Sequence, residues 1–322
     1  MPATCATSEG TVRYRQRFPD HDFRVQHGLV LSSIGIGTYL GNPDEATDLA
    51  YTQSVVRAVQ LGVNVIDTAS NYRFQRSERS IGEALKILAN EHGIARDELV
   101  ICTKGGYLPF DGAPPRNVRE YVNETFVKPG IASFDDIVAG SHCMTPSYLQ
   151  SQLDQSLRNM GLECVDVYYI HNPESQLQYV SEQEFYDRLQ RAFARLEENR
   201  SQGELTHYGV ATWNGFRMPR NSGGHHSLAQ MLELAREVGG GGHGFRFIQL
   251  PFNIAMPEGA SVVEEAQRLG VTVMTSASLM QGRIPPQTAI EFARSNPGIT
   301  TALIGMSSVE HVEENLAADL HG

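Results

Sequence analysis

The chain has 322 residues, enough for one large α/β barrel or two smaller domains, and long enough to bury roughly three quarters of its unfolded surface. With 26 Lys and Arg against 37 Asp and Glu the formal net charge is −11, and no basic block occurs, which argues against nucleic acid or an anionic membrane as a partner. The N-terminus is polar where a signal peptide needs an apolar run, and no stretch reaches the ~18 apolar residues of a membrane span, so a soluble cytoplasmic protein is expected.

The first thirty residues read as a tail, 1–22, and then a hairpin in which Phe23 to Val25 and Leu29 to Leu31 flank a His27-Gly28 turn. After that a unit repeats. Short aliphatic or β-branched runs recur at 32–36, 63–66, 99–103, 166–170, 207–211, 246–250, 271–275 and 299–304. Between them lie segments of helical period with recognisable ends: 44–61 closing at Gly62, 77–92 at Gly93, 146–160 at Gly161, and 181–203 opening on Ser181 with Glu184 three residues on. Further helices are expected over 227–238, 261–269 and 288–294, and from Ser307 or Ser308 to about Asp319.

Eight strands alternating with eight helices predict a single-domain (β/α)8 TIM barrel over 1–322, preceded by the N-terminal β-hairpin. No GxGxxG turn follows the first strand, which removes the main motif of a doubly wound sheet. Such a barrel takes ~250 residues. Most of the excess falls in two long loops, 105–144 after the third barrel strand and 214–245 after the fifth. The first carries Tyr107, Phe110, Tyr121, Phe126 and Phe134 and is expected to pack over the pocket; the second, with Gly239 to Gly242, is expected to be mobile above the same face. Cys5, Cys102, Cys143 and Cys164 form no CxxC pair and are widely spaced, so reduced thiols are expected in preference to a disulfide framework or a zinc site.

Polar residues stand where strands end: Asp67 after the second, Lys104 the third, His171 the fourth and Gln249 the sixth. In a closed barrel these converge at one mouth. Singly, each is more often a cap, a solvated side chain or a satisfied structural group. As a set they point to a site, because a buried Lys and Asp together do little more than offset their own desolvation. Tyr72 follows Asp67 closely. A phenol of pKa ~10 is a weak acid at neutral pH, and a nearby ammonium lowers that value by favouring phenolate. Tyr72 is therefore expected as proton donor, Lys104 as the charge that tunes it, Asp67 as the anchor of Lys104, and His171 as a hydrogen-bonding partner of the same substrate oxygen. His142 with Cys143, and His225 and His226 with His243, match no zinc spacing and read as loop residues, so no metal is expected.

IGIGTYLG at 34–41, GVNVIDTASNY at 62–72 followed by SERSIGEAL, CTKGG at 102–106, DVYYIHNP at 166–173 and IGMSSVEHVEEN at 304–315 stand in the order and spacing of aldo-keto reductase motifs, and from about 31 to 315 the chain resembles that family. The resemblance implies a nicotinamide dinucleotide bound without a Rossmann motif and hydride transfer to or from a small-molecule carbonyl or alcohol substrate. It implies Asp67, Tyr72, Lys104 and His171 as the catalytic set. It further implies cofactor contacts from Thr38, Tyr39 and Asp67 near the nicotinamide, Thr212 and Gln249 at the carboxamide, Ser276, Ala277 and Leu279 after the seventh strand, and Gly305, Ser307, His311, Glu314 and Asn315 toward the adenosine.

The last helix offers free N–H groups to a phosphate there. Three places depart from the family pattern, the first of them a pair of residues. Ala211-Thr212 replaces a Ser-Asn pair, Ser276 stands where many members stack a tyrosine on the nicotinamide, and His311 replaces an arginine that grips a 2′-phosphate. Trp213 or a loop aromatic is expected to take over the stacking. NADP(H) is the family default, and the weak charge of a histidine at pH 7 leaves NAD(H) open. Two rival functions are a Schiff-base lyase with Lys104 as nucleophile and a dinucleotide-binding regulatory subunit with little turnover.

Overall fold

The computed structural model describes residues 4–219 and 222–320; residues 1–3 of the expected tail, 220 and 221 of the 214–245 loop, and 321–322 lie outside the described residues. In chain order the elements are α1 (Ser8–Arg15), β1 (Phe23–Gln26), β2 (Leu29–Ser32), β3 (Ile34–Gly37), α2 (Glu45–Gln60), β4 (Val65–Asp67), α3 (Arg76–His92), β5 (Val100–Gly105), α4 (Val118–Val122) and α5 (Pro146–Met160). They continue with β6 (Val165–His171), α6 (Glu182–Gln202), β7 (Leu205–Ala211), α7 (Leu228–Gly239), β8 (Phe245–Pro251), α8 (Ala260–Leu269), β9 (Thr272–Ser276), α9 (Pro286–Ser295), β10 (Thr301–Gly305) and α10 (Val309–Leu320). Strands β1 and β2 form the antiparallel hairpin, and β3 to β10 close a parallel barrel in which β10 returns to β3.

Strand alternation explains how this ring makes a site. Val65, Cys102, Tyr169 and Phe247 belong to a buried cluster with Val100, Val167, Ala211, Met274 and Leu303, contributed by strand after strand. Asp67, Lys104, His171 and Gln249 each lie two residues beyond one of the first four. A period of two keeps them on the same inward side, one layer nearer the C-terminal mouth. The alternate residues Ile66, Ile101, Ile170, Val210, Ile248, Val273 and Ile304 join the larger cluster shared with the helices. Helix ends follow the expected chemistry: Asp44, Ser181 and Ser227 cap through their side chains, and Gly93, Gly161, Gly203 and Gly270 close helices in the left-handed region.

Four expectations are corrected. The segment read as a tail is helical from Ser8, with Thr7 accepting from the Gly10 N–H as its cap. Its anchor is Tyr14, fully buried, whose hydroxyl donates to the carbonyls of Val59 at 2.5 Å and Val63 at 3.0 Å. One aromatic anchor in an otherwise polar turn gives no hydrophobic period to read. Second, Cys5 and Cys164 are joined in a disulfide, while Cys102 and Cys143 are free and buried. The N-terminal segment runs back to the start of β6, where the Ala6 N–H donates to Asp166 Oδ1 at 2.6 Å, so a gap of 159 residues in sequence vanishes in space.

Third, Gly240–Gly242 forms a 3-10 turn between α7 and β8, at the N-terminal end of the ring, because α7 has already carried the chain back down from the mouth. Fourth, the middle of the 105–144 loop does not cover the pocket. Leu108, Val122, Phe126, Ala132, Ile137 and Cys143 form a small core of their own with Tyr148 of α5, and Phe134 is left exposed. The first part of this loop reaches the mouth, with Tyr107 against His171 and Phe110 and Gly112 bonded to the turn after Tyr72. Among the described residues no helix is long and apolar enough to cross a membrane.

Candidate active site

Lys104 organises the mouth of the barrel. Its side chain is fully buried, and its ammonium meets Asp67 Oδ2 at 2.5 Å, the Thr68 carbonyl at 2.8 Å and the Tyr72 hydroxyl at 3.3 Å. Gln249 Nε2 donates to the other carboxylate oxygen, Asp67 Oδ1, at 2.8 Å. Thr38, behind the pair, donates from its N–H and its hydroxyl to the Asp67 carbonyl, each at 3.2 Å. Burial works against the Lys104 ammonium, but the Asp67 carboxylate and the Tyr72 oxygen more than offset it and hold its pKa above the ordinary lysine value. Lys104 is therefore a charged lysine.

The expected sign at Tyr72 is corrected. Burial raises the phenol's pKa by more than Lys104 lowers it, so the group lies above its ordinary value. The resting residue is a neutral phenol. His171 moves the other way: burial first, then the charge of Lys104, keeps its imidazole well below the usual range and neutral.

The turn after Tyr72 holds it in place. Arg73, Phe74 and Gln75 have φ of 48°, 58° and 70°, three consecutive non-glycine residues in the left-handed region, which costs roughly 1–2 kcal/mol each. Separate partners clamp them. Arg73 is buried, paired with Asp48 and bonded to the Asn42 carbonyl at 3.0 Å; Phe74 accepts from the Gly112 N–H at 2.9 Å; Gln75 donates to the Phe110 carbonyl at 3.1 Å and accepts from Asn159 at 3.1 Å. The Tyr72 ring stands edge-on to Tyr39 at 5.0 Å and to His171 at 5.8 Å.

The expected cofactor residues fall into two groups. Thr38 holds the main-chain carbonyl of Asp67 and Gln249 its carboxylate, and at the β7–β8 edge the Thr212 N–H donates to the Gln249 carbonyl at 2.8 Å. The Thr212 hydroxyl is buried there without a partner among the described residues. A buried hydroxyl left without a partner on the strand beside Gln249 fits a polar group such as a carboxamide. Gly305 ends β10, Ser307 precedes α10, and His311, Glu314 and Asn315 lie in its first two turns; Ser308 accepts from the His311 N–H at 3.3 Å and His311 Nδ1 lies 3.5 Å from the Ser307 hydroxyl. Ser276 ends β9, and Ala277 and Leu279 follow it in a turn tied down by Asn253, which donates to the Ala277 carbonyl at 2.9 Å. Tyr39 and Trp213 are exposed, at 62% and 49%.

One positioning group escaped the sequence. Glu174 Oε1 accepts three successive N–H groups of the loop after β7: Trp213 at 2.7 Å, Asn214 at 2.9 Å and Gly215 at 3.4 Å. Its pKa is depressed even though burial pushes the other way, because His226 and the Asn214 amide favour the carboxylate. The amides it holds lie some forty residues on, so no local pattern marks it.

A parallel eight-stranded ring with a buried Lys–Asp pair under a tyrosine at its C-terminal mouth is the frame of a barrel oxidoreductase. The chain belongs to the aldo/keto reductase family, whose model matches residues 33–286. It is 23% identical over 356 aligned positions, 97% of this chain and 91% of the other, to a Schizosaccharomyces pombe protein that carries the name of a voltage-gated potassium channel beta subunit. It is 27% identical over 188 positions to the NADH-specific methylglyoxal reductase of Escherichia coli, a match spanning 57% of this chain and 49% of that one. Among solved structures, an aldo-keto reductase from Bacillus halodurans in its holo form superposes with a TM-score of 0.62 at 16% identity, covering 92% of this chain and 90% of that one. An aldo/keto reductase from Klebsiella pneumoniae in complex with NADP and acetate superposes with a TM-score of 0.57 at 17% identity, covering 92% and 88%.

Proposed function

We propose that the protein is an NAD(P)H-dependent oxidoreductase that interconverts a small carbonyl compound and its alcohol, with Tyr72 giving and taking the proton on oxygen. The observation that carries this reading is the buried Lys104 ammonium, 2.5 Å from Asp67 and 3.3 Å from the Tyr72 oxygen. A bound nicotinamide dinucleotide would supply or accept the hydride. Gln249 and Thr212 suit its carboxamide, and the free N–H groups that open α10 suit a phosphate.

In the reducing direction Tyr72 gives its proton to the substrate oxygen as negative charge builds there. The phenolate that remains faces Lys104, and at 3.3 Å in an effective dielectric of ~20 that attraction is about 5 kcal/mol. Asp67 keeps Lys104 charged, without which the attraction vanishes. Neutral His171 donates a hydrogen bond to the same oxygen and brings no second cation to compete with Lys104. The same charged Lys104 argues against the Schiff-base lyase, which needs a free amine. NADP(H) is favoured by the Klebsiella complex, and NAD(H) by the name of the Escherichia coli relative.

Trp213 is the single tryptophan of the chain and stands at the mouth, so its fluorescence reports dinucleotide binding. NADPH and NADH titrations of the wild type and Tyr72→Phe, followed by aldehyde, ketone and sugar substrates, test the reading. Tyr72→Phe is expected to bind dinucleotide as the wild type does and to lose on the order of 10²–10⁴ in turnover, the usual share of a general acid. Unchanged turnover removes Tyr72 from the chemistry. Binding without turnover of any substrate by the wild type moves the reading to a regulatory subunit, as the Schizosaccharomyces pombe name suggests.

A further inference from the structure

His142 lies between β5 and α5, fully buried, and the proposed chemistry gives it no task. Its Nε2 is 2.8 Å from the carbonyl oxygen of His171, and its Nδ1 is 2.9 Å from Gln176 Nε2. Gln176 Oε1 accepts in turn from Arg188 Nη1 at 2.8 Å, and Arg188 Nε donates to Glu184 at 2.7 Å. An arginine can only donate, so the sense of the chain is fixed from its outer end. The guanidinium gives to the amide oxygen, the amide nitrogen gives to Nδ1, and Nε2–H gives to the His171 carbonyl. Only a neutral imidazole protonated on Nε2 satisfies both ends, and burial pushes the His142 pKa down to about 4, which keeps it neutral.

Ring packing follows the same path. Tyr107 stands edge-on to His142 at 5.2 Å and to His171 at 5.1 Å, with its hydroxyl 3.1 Å from Ser175 Oγ and accepting from Asn172 Nδ2 at 3.2 Å. Gly106 makes the close approach available: a Cβ there would lie 2.8 Å from His142 Nε2 and 3.0 Å from the His171 oxygen. Support is needed at this point in the chain. His171 is the last residue of β6, and Asn172 turns into the left-handed region at φ 45°, so regular pairing stops at the residue whose ring faces Tyr72.

We propose that His142 is a positioning residue for His171: with Gln176 and Arg188 it forms a one-way chain of donors that pins the end of β6, and through Tyr107 it sets the plane of the His171 ring. This rests on the reading of His171 as a donor to the substrate oxygen and names what holds that donor still.

The two informative substitutions are His142→Gln, which puts an amide N–H where Nε2–H stood, and His142→Leu, which fills the space without a donor. His142→Leu is expected to lower kcat about tenfold or more, since small misplacements of a reacting group cost up to ~10². NADPH affinity by Trp213 fluorescence stays unchanged, and His142→Gln recovers most of the loss. Imidazole ¹H–¹⁵N spectra give a readout besides activity. The ring that disappears in His142→Gln should be Nε2-protonated and unchanged from about pH 5.5 to about pH 8. The signal assigned to His171 by its loss in His171→Ala should shift in His142→Leu and not in His142→Gln. If His142→Leu does not fold, Arg188→Met frees Gln176 from the outer end and must shift the His171 signal alone. Wild-type kcat with an unmoved His171 signal in His142→Leu, or in Arg188→Met where that variant stands in, overturns the proposal. Failure of the active-site reading looks different: His171→Ala and Tyr72→Phe turn over normally while the His171 signal still moves in His142→Leu.

Discussion

Breaking the Cys5–Cys164 bond, by Cys5→Ser or by reduction, tests the part of the structure that sequence spacing misjudged. The bridge closes a loop of 159 residues in sequence. In the chain-entropy model a loop of that length removes about 17 cal/mol/K from the unfolded chain, or about 5 kcal/mol of stability at 25 °C. Unfolding entropy of about 2.1 cal/mol/K per residue over 322 residues converts this to a fall of about 7 °C in Tm. Other contacts keep the segment docked: Ala6 on Asp166 at 2.6 Å, Thr7 N–H on the Asp97 carbonyl at 3.0 Å, the buried Tyr14, and the pairing of Arg13 and Arg17 with Glu98, each at 2.9 Å. The reduced protein should therefore remain folded at room temperature. Cys164 immediately precedes β6 and His171 ends it, so at ~3.3 Å per residue the bond lies roughly 20 Å from the mouth and kcat should not change. Calorimetry with and without reductant, beside thiol labelling in denaturant, measures both quantities. Four labelled cysteines in the unreduced protein, or equal melting of wild type and Cys5→Ser, would refute the bridge and restore the expectation of reduced thiols.

Lys104→Met should abolish turnover by at least about 10³ in single-turnover rates, the kinetic equivalent of the ~5 kcal/mol attraction. It should also destabilise the fold by about 3–5 kcal/mol, because Asp67 is left buried without its cation; a rate within tenfold of wild type would exclude the proposed role. Stability should fall with acid. His142 sits at about 4 in the native state against 6.5 when unfolded, so above pH 6.5 it contributes nothing to the slope; between 6.5 and 4 the unfolded chain binds a proton that the native ring refuses. The loss from His142 alone is about 3 kcal/mol across that window, with His171 and His207, also depressed by burial, adding to it. Urea unfolding at several pH values reads it, and a flat profile would count against buried neutral histidines. Glu174→Ala should leave three N–H groups unpaired, red-shift Trp213 emission and raise KM more than it lowers kcat; an unchanged emission spectrum would show that Glu174 does not hold that loop.

The barrel and the residues at its mouth were legible because the signals are local. A short apolar run followed by Asp67 or Lys104, and a helix closing on Gly161 or Gly203, can be read within one turn or one strand, and the period of two carries the side chains inward without further information. The apolar run of β6 placed His171 at its end in the same way.

Other features depend on where distant segments meet. Glu174 reads as an ordinary loop carboxylate until the amides of 213–215 close on it, and His142 as a loop histidine until Gly106 lets it reach the His171 carbonyl. Tyr72 shows the division most clearly: its neighbour Lys104 could be named from the strand pattern, but the sign of its pKa shift could not. Charge pairing follows from which residues end adjacent strands, which sequence order determines in a closed ring. Desolvation follows from how much of the fold closes over a group, and that sum over non-local contacts exists only once the chain has folded.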